Sequence, residues 1–107
     1  MQYRIALIVG LLVLSDGLHA AREAFTLPNG DRYEGDVIDG VLNGNGIYRW
    51  ADGDRYEGEF SNDLPSGQGL YIWADGRRYE GEFVDGKRQG YGSLTWVNGD
   101  VLSLIHI

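Results

Sequence analysis

The chain repeats itself every 23 residues. Segments that begin at Tyr33, Tyr56 and Tyr79 superimpose without a gap, and each opens Tyr-Glu-Gly, with Gly35, Gly58 and Gly81 in third place. Each then carries Gly-x-Gly (Gly44 and Gly46, Gly67 and Gly69, Gly90 and Gly92) and closes on a turn glycine, Gly53, Gly76 or Gly99. A fixed period of this size marks a stacked array in which each unit packs on its neighbours. Such arrays work through an extended surface rather than through one enclosed pocket.

Within a unit the pattern is that of strands. Along 78–84, Tyr79, Gly81 and Phe83 fall on one face and Arg78, Glu80 and Glu82 on the other, since strand side chains alternate. Asp85-Gly86 and Asn98-Gly99 are turn signals, and the latter slot holds Asn29-Gly30, Asp52-Gly53 and Asp75-Gly76 in the preceding units. Two strands per unit joined by tight turns predict a continuous antiparallel meander. Glycine inside a strand normally weakens it. Its recurrence at Gly35, Gly58 and Gly81 predicts that tyrosine or tryptophan rings lie against the bare backbone, so that one sheet buries apolar area without a second layer. The opposite face carries Arg32, Glu34 and Asp36, and their counterparts at 55, 57, 59, 78, 80 and 82, which predicts a solvated ladder of cross-strand charge pairs.

The first 20 residues differ in kind. Arg4 precedes ten uncharged residues, Ile5 to Leu14, and Leu18-His19-Ala20 supplies a small residue at a cleavage site. This reads as a secretory signal peptide, because the run is too short to span a bilayer. Secreted or periplasmic localisation follows as an expectation, with an uncleaved membrane anchor as the alternative. The net charge is −7 and no basic run is present, which argues against nucleic acid and disfavours anionic membrane as partner. The chain has no cysteine, hence no disulfide framework and no thiolate metal site.

These fixed positions resemble the MORN repeat (membrane occupation and recognition nexus). The resemblance runs from a half-repeat at 24–32 through repeats at 33–55, 56–78 and 79–101. Gly40 and Gly86 fill the glycine position near the eighth residue. The second repeat departs there, with Asp63 followed by Pro65, so its loop is expected to differ locally while the register holds. The resemblance implies an all-β, elongated single-layer antiparallel sheet with one hairpin per repeat, serving as a scaffold, dimerisation or attachment surface. Some family members carry an enzyme domain elsewhere, and phospholipid binding has been proposed for the family. A fourth unit should open with tyrosine at 102. The chain instead reads Leu102-Ser103-Leu104-Ile105-His106-Ile107, which also matches the translation of a transposon-adapter end. Residues 102–107 are therefore read as a non-native or truncated tail.

Catalytic chemistry finds little purchase. The carboxylate pairs Glu57/Glu59 and Glu80/Glu82 recur with the repeat, whereas a catalytic pair is normally unique. His19 and His106 both lie outside the repeats, which leaves no general base and no partner for Ser61, Ser66 or Ser93. Gly44-Asn45-Gly46 is not followed by the Gly-Lys-Ser/Thr of a phosphate loop. Asp52, Asp54 and Asp75 match no calcium-loop spacing and fit turn chemistry. The expectation is a non-enzymatic module with no cofactor and no metal, which binds a protein partner through the aromatic face or an open sheet edge. Tyr48, Trp50, Tyr71, Trp73, Tyr91 and Trp96 are the candidates for contact or packing. Unpaired edges and unit ends make a homodimer a further expectation. The alternatives are the targeting region of a longer enzyme, or a membrane-surface attachment module.

Overall fold

The computed structural model describes residues 20–106, with side chains for 21–102. The expected signal peptide, residues 1–20, lies outside these residues except for Ala20. Eight strands form one antiparallel sheet in strict chain order: β1 Ala20–Thr26, β2 Arg32–Ile38, β3 Val41–Arg49, β4 Arg55–Ser61, β5 Leu64–Ile72, β6 Arg78–Val84, β7 Lys87–Thr95 and β8 Val101–His106. This is the expected hairpin array.

Its register explains the repeat. One residue from each strand lines up across the sheet: Phe25, Tyr33, Tyr48, Tyr56, Tyr71, Tyr79, Leu94 and Leu102. Two residues away, a row of glycines pairs with itself: Gly35, Gly46, Gly58, Gly69, Gly81 and Gly92. Both rows occupy one face, and the rings of the first lie over the second. A β-carbon placed on Gly46 would come within 2.6 Å of Tyr33 Cζ, and one on Gly69 within 2.5 Å of Tyr56 Cζ. The rings thus cover the glycine of the following strand as well as the expected Gly35, Gly58 and Gly81.

Aromatic rings join into two strings along this face. Phe60 stands edge-on between Tyr33 and Tyr56 (5.4 and 5.1 Å), and Phe83 between Tyr56 and Tyr79 (5.0 and 5.5 Å). Tyr48, Trp50, Tyr71 and Trp73 follow at 5.0, 5.2 and 4.9 Å. Edge-to-face contacts place a positive ring edge on a negative ring face. Val37, Leu42, Phe60, Pro65 and Phe83 continue the buried surface toward the short turns.

The two ends of the sheet carry different turns. At one end, Asp39-Gly40, Asn62-Asp63 and Asp85-Gly86 each place both central residues at positive φ. This twist matches that of the flanking strands. The second repeat was expected to differ here and does not: Asp63 adopts φ 71° without glycine. Its compensation comes from the preceding repeat: Asp63 N donates to Leu42 O (2.9 Å), as Gly86 N does to Pro65 O, and the Asp63 carboxylate also accepts from Leu42 N (2.8 Å). Asp tolerates the left-handed region better than most residues, and here it also ties one repeat to the next. At the other end, each loop has an N–H to C=O bond across three residues and a glycine at positive φ, in Leu27–Asp31, Trp50–Asp54, Trp73–Arg77 and Trp96–Asp100.

Candidate interaction surface

The aromatic face is stabilised by two sets of tyrosine hydroxyls with different partners. Tyr33 Oη donates to Asp36 O and Tyr56 Oη to Glu59 O, both at 2.7 Å within their own strands. Tyr48 Oη donates to Asp31 Oδ2 and Tyr71 Oη to Asp54 Oδ2, again at 2.7 Å. Asp31 and Asp54 are buried, and their other oxygens accept from Ala51 N and Ala74 N at 2.8 Å. Each carboxylate therefore fastens its own turn to the turn of the next repeat. Asn29, Asp52, Asp75 and Asn98 accept the backbone N–H two residues on. The acids considered for calcium are thus engaged in turn chemistry.

Asp75 is exposed. The Arg77 backbone N–H, together with the Arg77 guanidinium at 2.8 Å, holds its carboxyl below the usual range. The hydroxyls of Tyr33 and Tyr56 are pushed the other way, well above the ordinary phenol value, first by burial and then by Asp36 and Glu59 respectively. Burial also raises Tyr79, against Arg88, which lowers it. A folded-state value above the unfolded one near 10 leaves stability intact below about pH 10 and erodes it above, as unfolded chains ionise first. Each such tyrosine contributes a slope of about 1.4 kcal/mol per pH unit. Urea unfolding at stepped alkaline pH should show at least twice that loss, and Tyr33→Phe should remove one share. A flat profile above the phenol range would contradict the protonated state of these rings.

The opposite face departs from the expected ladder of opposite charges. Arg32, Arg49, Arg55, Ile72 and Arg78 are successive cross-strand neighbours, so the arginines form a row. The next row reads Glu34, Ile47, Glu57, Leu70, Glu80 and Ser93, in which each glutamate is flanked by an aliphatic or small residue. Charge alternates along a strand while like residues align across strands, because the repeat brings the same position to the same height. Ion pairing takes both forms: Arg55 meets Glu57 on its own strand at 2.9 Å, and at the β1 edge Arg22 meets its cross-strand partner Asp36 at 3.0 Å. Asp36 and Glu59 also accept from Asn45 N and Gln68 N in the Gly-x-Gly segments (2.8 and 2.7 Å). The repeated carboxylate Glu59 is thereby given a structural role.

The six candidate aromatics separate. Tyr48, Trp50 and Tyr71 are buried in the aromatic strings, and Trp73 is half-buried. Trp96 is exposed at 42% and Tyr91 at 61%. Tyr91 is not the counterpart of Tyr48 and Tyr71: their register position is Leu94, and Tyr91 aligns with Asn45 and Gln68 on the polar face. The large exposed apolar residues among the described side chains are Val84, Tyr91, Trp96, Val97, Val101 and Leu102, all at or beyond the third repeat. Sequence reasoning missed the arginine row and also Arg88, which occupies the position of Leu42 and Pro65 on the apolar face. The 23-residue spacing held the signal for both.

No curated protein matches the chain. The sequence model of the MORN repeat matches residues 33–55, 56–77 and 79–101, which together make up more than half of it. The one-hairpin-per-repeat sheet agrees with that match, and the chain belongs to the MORN repeat family, whose repeats are binding and scaffold modules.

Proposed function

We propose that this chain is an exported, non-catalytic scaffold module that acts through protein–protein contact, with the third repeat as its contact end. The observation that carries the reading is the distribution of exposed apolar side chains. The first two repeats turn their aromatics inward, whereas Tyr91, Trp96 and Val97 of the third stand in solvent. Exposed Trp and Tyr side chains are the ones that most often dominate contact surfaces. Export rests on the residue pattern of 1–20.

A photo-crosslinking amino acid at position 96, compared with one at 50, tests the contact in the producing cell. A discrete adduct from 96 and none from 50 is expected. Equal adducts from both, or none from 96, would overturn the assignment. N-terminal sequencing of the mature protein tests export: a start near Ala21 supports it, and an intact Met1 refutes cleavage.

One observation favours a second reading, attachment to an anionic membrane surface. The fold gathers Arg32, Arg49, Arg55 and Arg78 into one row despite the acidic net charge. Sedimentation with phosphatidylserine vesicles at physiological salt decides it, and charge reversal at Arg32 and Arg49 should abolish any binding seen.

A further inference from the structure

The third repeat departs from the first two at a set of related positions on the aromatic face. Where Leu42 and Pro65 pair with Val37 and Phe60, Arg88 pairs with Phe83 and brings a cation onto the apolar side. Where Tyr33 and Tyr56 donate their hydroxyls to strand carbonyls, Tyr79 Oη is wholly buried and has no hydrogen-bond partner. Arg88 Nε is likewise buried and unpartnered, although the residue as a whole is only half-buried. The guanidinium carbon lies 5.4 Å from the Tyr79 ring centroid and 5.8 Å from that of Trp73. The aspartate–tyrosine bridge between repeats is also missing here, since Arg77 stands where Asp31 and Asp54 stand, and Leu94 where Tyr48 and Tyr71 stand.

We propose that Arg88 and Tyr79 form a carboxylate-binding notch on the aromatic face of the third repeat. Two orphaned buried donors on one ring-and-guanidinium stack are costly, because a buried polar group without a partner forfeits its hydration. Both are donors in their resting states, so an apolar occupant leaves the cost in place and a cation adds repulsion. A planar carboxylate accepts the guanidinium fork through one edge and the phenol hydroxyl through a remaining lone pair. The Trp73 and Tyr79 rings hold the guanidinium by cation–π contact and keep it oriented before a ligand arrives. The carboxylate comes from an acidic side chain of a peptide segment or from a small free acid. The notch does not depend on export or on the exposed aromatics of the third repeat.

The test is nuclear magnetic resonance on the nitrogen-labelled full chain, following Arg88 Nε–H and the Trp73 indole N–H. The probes are N-acetylglutamate, the peptide acetyl-Gly-Glu-Gly-amide, and the glutamine version of each. Both glutamate probes should shift these signals and the glutamine probes should not. A tighter fit for the peptide identifies a peptide source, and equal affinities identify a small free acid. Arg88→Leu, which installs the residue present at 42, should weaken binding about tenfold or more, and Tyr79→Phe about threefold. Arg88→Lys keeps the charge, loses the fork and should fall between parent and Arg88→Leu, which covers the case in which Arg88→Leu does not fold. Equal shifts from the glutamine probes, no shift with glutamate, or parent-like binding by both Arg88 variants would overturn the proposal.

Discussion

Gly69→Ala is expected to destabilise the array by about 3 kcal/mol or more. The added β-carbon would lie 2.5 Å from Tyr56 Cζ, and that ring is fully buried between Phe60 and Phe83. Neither the ring nor the backbone has room to retreat. The backbone of Gly69 is not at positive φ, so the cost is steric and not conformational. Gly99 is the matched control: a β-carbon there meets nothing within 4 Å, and φ is +95°. Gly99→Ala should cost only the left-handed penalty, about 1–2 kcal/mol. Melting of the two variants reads the difference, with a fall in Tm of about 12–24 °C for the first. Equal losses would show that ring-on-glycine packing does not stabilise this sheet.

Asp54→Ala is expected to cost about 3 kcal/mol, since two hydrogen bonds to one buried carboxylate disappear together. Tyr71→Phe should cost about 1–3 kcal/mol, and the double variant little more than Asp54→Ala alone, because the hydroxyl and the carboxylate serve each other. The third repeat carries both departures in the chain itself, with Arg77 at the aspartate position and Leu94 at the tyrosine position. Arg77→Asp and Leu94→Tyr should each be unfavourable singly and compensate when combined. Urea unfolding of the four proteins measures the coupling. Additive effects at both sites would remove the carboxylate–phenol bridge as a link between repeats.

Much of this molecule was legible in its spacing. The turn slots at Asn29-Gly30, Asp52-Gly53, Asp75-Gly76 and Asn98-Gly99 announced the hairpins, because few residues accept the backbone those turns require. Tyr33, Gly35 and Val37 share a face by strand alternation alone. The site was less legible. Tyr91 stood beside Tyr48 and Tyr71 among the candidates for contact or packing, yet the register gives their place to Leu94. Asp63 read as a disruption of its turn and proved to be a link between repeats, a role that depends on the position of Leu42 one hairpin away.

The period, the strands, the turn positions and the alternation of residues between faces are written in the chain. Those are local properties, set by backbone sterics and side-chain geometry within a few residues. What stands beside what across strands came from the folded sheet. It aligned Arg32, Arg49 and Arg55 in one row, laid Tyr33 over Gly46, and set Arg88 over the ring of Tyr79, whose hydroxyl has no partner. Cross-strand neighbours come from positions far apart in the chain, and their identity depends on the hydrogen-bond register. A shift of one residue in that register would exchange every contact while leaving each strand's own pattern unchanged.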